Sequence, residues 1–172
     1  ESLDWTHGNA LQYLEGEGSL LFSLRHQNWV IKIDHSTGEV IWRLGTEGDF
    51  GLLGGSWFYA QHTPSLDAEG RMLLYDNGNE RPGEPYSRAV LYQLDEISMT
   101  ARQDWVYETD HFTSRLGGAE QLPDGNILVC AGSPADGHAQ IIEVTERGEE
   151  VWKLEVADQN IYRAIRIPGF WE

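Results

Sequence analysis

The sequence predicts an all-β protein, a partial β-propeller of about three four-stranded blades plus one extra strand. Three observations lead to this prediction. A strand–turn–strand unit recurs three times, Gly-bearing turns separate short apolar strands, and a Trp marks the fourth strand of each unit. Short strands at regular spacing with Gly turns are typical of all-β folds. Four strands in a unit of roughly 40–55 residues is the period of a propeller blade.

Each repeat begins with a short strand, an acidic-Gly turn and a second apolar strand. The turn glycines are Gly18, Gly70 and Gly125, which lie 52 and 55 residues apart. The third strands are predicted at 29–34, 89–95 and 140–145. The fourth strands contain Trp42, Trp105 and Trp152. We therefore place the blades at 5–45, 57–108 and 114–156, and the inner strand of a further blade at 160–167.

Three blades and one strand are too few to close a ring, because propellers typically have about four to eight blades. Open sheet edges would also be an aggregation liability. We therefore expect the ring to be completed in one of two ways. Either an N-terminal portion lies on another chain or has been cleaved off, or further copies of this chain associate with it.

The charge and composition limit the classes of partner. A formal net charge of −16 argues against nucleic acid, because phosphate binding needs a basic face. The charge forms either an acidic, solubilising surface or a field that repels anions except at a local basic pocket. No window reaches the roughly 18 apolar residues of a membrane span. Cys130 is the only cysteine, so no disulfide framework or cysteine metal cluster is expected, and a buried core position is predicted.

Two predicted inner strands begin with a histidine, His7 and His62. Because inner strands line a propeller's channel, repeat position predicts that both histidines lie near the same channel end, on neighbouring blades. Arg25 follows the second strand of the first blade and is expected at the same funnel. Two imidazoles and a guanidinium would form an oxyanion site, since Arg offers forked donors and His acts as nucleophile or acid–base. The alternative is that the histidines are structural or solvated.

Several kinds of site are not predicted. The sequence has no His-x-His or His-Glu-x-x-His spacing for zinc, no glycine-rich nucleotide loop and no Gly-x-Ser-x-Gly elbow. Residues 76–80 have a composition similar to that of a calcium-binding loop but lack the spacing of an EF-hand, so we interpret them mainly as a turn. No metal and no cofactor are therefore expected.

With these motifs in view, the chain resembles the C-terminal half of the arylsulfotransferase family, the aryl-sulfate sulfotransferases that use no nucleotide sulfate donor. The most specific motifs are Asp4-Trp5-Thr6-His7 and Gln61-His62 taken together. The matching stretches run in the family's order at 4–9, 23–25, 29–34, 37–45, 61–62, 76–78, 86–88, 122–126 and 162–166. The resemblance implies a six-bladed propeller with its site in the channel, no cofactor, and a periplasmic or secreted location.

The resemblance also implies roles for individual residues. His62 matches the histidine that is transiently sulfated, and His7 and Arg25 match residues that hold the sulfuryl oxygens. The substrates implied are an aryl sulfate and a phenolic acceptor. The family's remaining channel histidine lies upstream of the Asp4–His7 motif. Expected substrate-binding residues are Asn9, Gln61, Trp57 and Tyr59, with Phe58 beside them. For the three aromatic residues, the alternative is core or loop packing.

Two other functions remain open at this point. A non-catalytic propeller acting as a binding or scaffold module would have its histidines pointing apart or buried against backbone partners. A quinone-dependent dehydrogenase would need an acidic metal-binding cluster and a cofactor-stacking Trp in the channel. The sequence offers no clear candidate for that cluster or for that Trp.

Overall fold

A computed structural model describes residues 4–134, 137–167 and 169, which form three sheets in succession along the chain. The first sheet contains β1 (Gly8–Leu14), β2 (Ser19–Leu24), β3 (Trp29–Asp34) and β4 (Val40–Gly45). The second contains β5 (Gly51–Leu52), β6 (His62–Leu66), β7 (Arg71–Asp76), β8 (Arg88–Asp95) and β9 (Thr100–Glu108). The third contains β10 (Gly118–Gln121), β11 (Ile127–Ala131), β12 (His138–Val144) and β13 (Glu150–Ala157).

The strand order in each sheet follows the order along the chain, as in propeller blades. Strands β1–β4, β6–β9 and β10–β13 pair consecutively and antiparallel, which confirms the predicted all-β class and the four-strand unit. The second sheet has a fifth strand that was not predicted, β5, which pairs parallel with β9 at the outer edge. In the described ranges, the one helical segment is a 3-10 turn at Arg25–Gln27, and no helix is long and apolar enough to cross a bilayer.

The predicted turns between third and fourth strands have the geometry that glycine permits. Gly38 has φ +77° and Gly148 has φ +80°, in the left-handed region that side-chain-bearing residues rarely adopt. Asp34 reinforces the first of these turns, since its carboxylate accepts the backbone N–H groups of Ser36 and Thr37 at 2.8 Å each. Both turns therefore end the third strand as the sequence predicted.

Two hydrophobic cores join the three sheets, and β7 contributes to both. Met72 and Leu74 pack toward the first sheet, while Leu73 and Tyr75 pack toward the third, because side chains alternate across a strand. The Trp of each fourth strand shows how this packing ends. Its exposure rises from 2% at Trp42, through half-buried Trp105, to 47% at Trp152. The face of the third sheet that carries Trp152 is thus left uncovered in the described part of the chain.

The inner strand of a further blade expected at 160–167 stays a prediction, because this segment pairs with no strand among the described residues. A strand needs a neighbour to accept and donate its backbone hydrogen bonds. Here the backbone bonds instead join Ile161 to the Gly132 carbonyl at 2.8 Å and Tyr162 to the Gly117 N–H at 3.1 Å. The segment is therefore held against the loops that flank β10 and β11. Cys130, beneath it, is 1% exposed, as predicted for a core residue.

Candidate active site

The predicted inner strands β1 and β6 both have an irregular register next to their histidine. The β1–β2 register shifts between Gly8 and Ala10, and the β6–β7 register shifts between His62 and Ser65. His7 has φ 49° and Thr63 has φ 47°, a costly conformation for a β-branched residue. Bulges of this kind redirect a side chain and are frequent beside active sites.

One cavity brings together the three residues predicted to be catalytic. We call it the His62 cavity; its volume is about 460 Å³. It is lined by His7, Arg25, His62, Asn79, Ser114, Arg115, Leu116 and Tyr162. A neighbouring cavity of about 550 Å³ shares Arg25 and Asn79 with it. The histidines of two sheets and the arginine of the first sheet therefore face the same space, as their repeat positions led us to expect.

His62 is a buried, neutral imidazole. It is 3% exposed, and its Nδ1 lies 2.6 Å from the side-chain oxygen of Asn77. Burial lowers the pKa of His62 to about 4, hydrogen bonds with Asn77 and the Ala60 backbone oppose this effect, and the nearby charges of Arg25 and His7 add to it. At neutral pH, His62 therefore has a lone pair available on one ring nitrogen, as a nucleophile requires.

Arg25 reaches across the site from the end of the first sheet. It begins the 3-10 turn after β2, and its Nη2 donates to the Ser114 carbonyl at 2.9 Å. Burial lowers the pKa of Arg25, while Glu80 and Asp4 oppose that effect. An arginine stays protonated in proteins and has five N–H donors, so the bond to Ser114 fixes the guanidinium while using one of them.

His7 is paired with a carboxylate. Its Nδ1 bonds to Asp4 Oδ2, and its backbone N–H donates to Asp4 Oδ1 at 3.0 Å. The bond with His7 lowers the pKa of the Asp4 carboxyl. The His7 side chain is 43% exposed, so it is far more open to solvent than His62. A carboxylate in this position stabilises positive charge on the ring when a proton arrives.

His26 adds a third donor group beside this pair. Its ring centroid lies 4.6 Å from that of His7, and ligand-type atoms of Asp4, His7 and His26 lie within 4.8 Å of one another. Two imidazoles and a carboxylate are a donor set that suits zinc-type cations. Within the part of the chain that the structure describes, these three residues form a group that could hold a metal ion, and the search for His-x-His spacing did not find it.

Other residues in or next to the His62 cavity were also missed by sequence reasoning. Arg115 supplies a second guanidinium, and Tyr162 places its ring edge-on to His62 with centroids 6.5 Å apart. Asn77 was interpreted as part of a turn, although it is fully buried and bonded to His62. Tyr162 and Asn77 lie in stretches that resemble the family, which is the one signal that would have singled them out. Arg115 lies in none of them.

Two predicted substrate-binding residues face the blade interior instead of the His62 cavity. Gln61 is 0% exposed, and its amide nitrogen donates to Ser23 Oγ at 3.0 Å and to the Trp29 carbonyl at 2.7 Å. Asn9 donates to the Gln61 carbonyl at 2.7 Å. Both amides thus tie the first sheet to β6, and neither lines the His62 cavity.

The three predicted aromatic residues, Trp57, Phe58 and Tyr59, pack within the protein, which is the alternative that the sequence left open. Phe58 is 0% exposed within the core between the first and second sheets, and Trp57 packs against that core. The Tyr59 ring lies under the Arg81 guanidinium, 5.4 Å from ring centroid to carbon. None of the three lines the His62 cavity.

The chemistry available in this cavity is nucleophilic attack on an anion. A neutral imidazole provides the lone pair, and two guanidinium groups provide forked donors for planar or tetrahedral oxyanions. A second imidazole, paired with a carboxylate, can hold and release a proton. The fold and this site define a class: a partial β-propeller in which histidines at the start of two inner strands and two arginines from loops line one cavity.

The comparison with protein families identifies the family within this class. The arylsulfotransferase (ASST) family model matches residues 1–163, so the chain belongs to the arylsulfotransferase family. The arylsulfate sulfotransferase AssT of Escherichia coli O6:H1 is 30% identical over 138 residues, covering 60% of this chain and 23% of that protein. AssT of Lelliottia amnigena is 28% identical over 138 residues, with the same two coverages. The chain thus spans 23% of the length of these relatives.

A solved structure with a similar fold is the PQQ-bound form of aldose sugar dehydrogenase (Adh) from Streptomyces coelicolor. The match has a TM-score of 0.58 at 20% identity and covers 84% of this chain and 46% of that chain. At this identity the likeness concerns the fold alone, and it agrees with the propeller architecture.

Proposed function

We propose that this chain carries the nucleophile of an enzyme that transfers a sulfuryl group from an aryl sulfate to a phenol without a nucleotide donor. The observation that carries the proposal is the position of His62, a neutral imidazole facing a cavity that Arg25 and His7 also line. Membership of the arylsulfotransferase family supports the substrate class. A binding module was expected to have its histidines pointing apart or buried against backbone partners, whereas His7 and His62 line one cavity.

The first half-reaction forms a sulfohistidine. The lone pair of the His62 ring nitrogen attacks sulfur, an N–S bond forms, and the bond between sulfur and the aryl oxygen breaks. Arg25 and Arg115 neutralise charge on the sulfuryl oxygens, as donors do in oxyanion holes. The leaving phenoxide takes a proton from His7, whose Asp4 partner stabilises the ring while it is charged.

The second half-reaction reverses these steps with a different phenol. His7 takes the proton of the acceptor hydroxyl, and the phenol oxygen attacks the sulfur of the sulfohistidine. The N–S bond breaks, and its electron pair returns to His62. Tyr162, edge-on to His62, forms a wall against which the aryl ring of donor or acceptor packs.

We further propose that additional blades complete the ring around this site. Apolar side chains are exposed at both ends of the three-sheet array. On β1, Leu11 is 65% and Tyr13 52% exposed; on β13, Trp152 is 47% and Leu154 43% exposed. The relatives are also longer than the chain. The partners are an N-terminal portion of the propeller or further copies of this chain.

The proposal is tested by the burst of 4-nitrophenol from 4-nitrophenyl sulfate in the ring-completed protein, with no acceptor phenol present. We expect one burst equivalent per site, followed by turnover when phenol is added. His62→Ala should abolish the burst. His35→Ala, which changes an exposed turn histidine, should retain it. If the native protein binds 4-nitrophenyl sulfate without releasing nitrophenol, the chain is part of a binding module. A burst that persists in His62→Ala assigns the nucleophile elsewhere.

A further inference from the structure

Asn77 is a buried residue beside His62 that takes no direct part in the proposed transfer steps. It follows β7, it is fully buried, and its side chain makes hydrogen bonds through both ends. Its Nδ2 donates to the Thr113 carbonyl at 2.7 Å and to the Leu116 carbonyl at 2.9 Å. Carbonyl oxygens only accept, so these two bonds use both amide N–H groups and fix which end of the amide faces them.

The amide oxygen of Asn77 therefore faces His62. Its distance to His62 Nδ1 is 2.6 Å, and an amide oxygen can only accept a hydrogen bond. Because His62 is neutral, it has one ring proton, and this contact places that proton on Nδ1. The lone pair is then on Nε2, the other ring nitrogen.

The surroundings hold Asn77 in this orientation. The Ser87 hydroxyl donates to the backbone carbonyl of Asn77 at 2.7 Å and accepts the backbone N–H of Thr113 at 2.8 Å. The Tyr75 hydroxyl lies 2.6 Å from Thr113 Oγ1. Asn77, Ser87, Thr113 and Tyr75 are all 0% exposed. The loop before the third sheet thus fixes the tautomer of a histidine on the second.

The two cavity histidines differ in the partner that holds Nδ1. His62 has the neutral amide of Asn77, whose oxygen accepts from the ring. His7 has the carboxylate of Asp4, which also accepts the backbone N–H of His7 at 3.0 Å. When two histidines of one site have different hydrogen-bond partners, they can be assigned different roles. The amide suits a nucleophile, and the carboxylate suits a group that carries a proton.

We propose that Asn77 is a positioning residue that keeps His62 in the Nδ1–H tautomer, so that Nε2 is the atom that takes the sulfuryl group. This inference rests on the proposed function for the transfer step, but the tautomer itself can be measured without any turnover. Without Asn77, the ring is free to place its proton on Nε2 or to rotate, and the fraction of competent nucleophile falls.

The test is long-range ¹⁵N–¹H NMR of the histidine rings in the ring-completed protein, together with the rate of the nitrophenol burst. In the native protein, we expect His62 to show a protonated Nδ1 and an unprotonated Nε2. In Asn77→Ala, the two nitrogens should show averaged or exchanged protonation. The burst rate should fall by about 10- to 100-fold with little change in KM, the usual cost of losing the partner that orients a metal-bound histidine.

Gln12→Ala is the matched control, because it removes another amide, a half-buried one that bonds the backbone carbonyl and N–H of Leu66 at 3.0 and 2.8 Å and does not line the His62 cavity. It should lower stability while keeping the tautomer and the burst rate. A native His62 with its proton on Nε2 overturns the inference, and this measurement does not depend on whether Asn77→Ala folds. An unchanged tautomer and burst in a folded Asn77→Ala also overturn it. The expected tautomer without any burst in the native protein supports the positioning by Asn77 and refutes the proposed transfer.

Discussion

The guanidinium of Arg25 donates to the carbonyl of Ser114 at 2.9 Å, although 89 residues separate the two in sequence. This bond joins the end of β2 to the loop that precedes the third sheet, across the His62 cavity. The cavity therefore lies between the first and second sheets and the loop that precedes the third, and Arg25 is held in place from the side of that loop. A cation fixed in this way needs little reorganisation when negative charge develops on a bound anion.

Arg25→Lys should impair catalysis strongly, although the substitution keeps the positive charge. Lysine has no planar fork, so it cannot bond Ser114 and chelate two sulfuryl oxygens at once. We expect kcat/KM for 4-nitrophenyl sulfate to fall by about 100-fold or more. Arg43→Lys, which changes an exposed arginine paired with Asp49, is the control and should be neutral. A less than twofold change in Arg25→Lys would show that the fork is not used.

The buried state of His62 makes stability depend on pH. Its pKa is about 4 in the folded protein and 6.5 in an unfolded chain, so the unfolded state binds the proton first as pH falls. This stabilisation is complete above pH 6.5 and is lost progressively between pH 6.5 and 4. Urea unfolding should show that, between pH 6.5 and 4, the free energy of unfolding falls by about 3 kcal/mol less in His62→Gln than in the native protein. Parallel pH curves for the two proteins would mean that His62 titrates normally.

Gly132→Ala should disturb the segment that carries Tyr162. A Cβ at this position would lie 2.0 Å from the Ile161 carbonyl oxygen, so the segment has to move away. We expect destabilisation of about 1–3 kcal/mol and a several-fold rise in KM for the aryl sulfate, since Tyr162 leaves its place beside His62. Gly16→Ala is matched to it, because a Cβ there meets nothing within 4 Å. Equal KM values for the two variants would show that Tyr162 does not contact the aryl ring of the substrate.

Asp76→Asn should destabilise the second sheet strongly. Asp76 is 0% exposed and accepts the Arg88 Nε at 2.7 Å, a bond from Arg81, and the Tyr59 N–H at 2.9 Å. Removing its charge leaves two buried guanidinium groups uncompensated, which costs about 3–5 kcal/mol. Asp49→Asn removes an exposed ion pair and should cost no more than about 1 kcal/mol. Urea midpoints of the two variants give the comparison, and equal midpoints would contradict it.

Trp152→Ser tests whether further blades pack on the third sheet. Its side chain is half exposed on the uncovered face, so the substitution should leave the three sheets folded but weaken their association with the completing blades. Analytical ultracentrifugation should detect the loss. Ile97→Ser, at a turn residue that is 98% exposed, should associate normally. If both variants associate equally well, the covering blades do not contact the Trp152 face.

Local patterns predicted most of the fold. The segment 101–108 has some helical character, but the alignment of Trp105 with Trp42 and Trp152 correctly assigned it to the fourth strand, β9. By contrast, β5 has two residues, Gly51 and Leu52, which is too short to show any alternation. Residues 160–167 have the alternation of a strand, but a strand forms only where a neighbouring strand is in reach.

The candidate site was predictable where it follows the repeat. His7 directly precedes β1 and His62 is the first residue of β6, and both line one cavity. Arg115, Asn77 and Tyr162 come from loops, whose positions depend on hydrogen bonds to distant residues such as the one from Asn77 to Thr113. Gln61 precedes the key histidine in sequence, but alternation turns its side chain to the opposite face, into the core. Proximity in sequence therefore did not indicate proximity in the site.

The most direct measurement is to locate the sulfuryl group after a single turnover. The ring-completed protein would be mixed with ³⁵S-labelled 4-nitrophenyl sulfate, quenched in alkali before acceptor is added, and digested for peptide mapping. The proposed mechanism predicts label on the peptide that contains His62, with the group on Nε2 and release on addition of phenol. Label on another residue, or nitrophenol release with no labelled peptide, would contradict it.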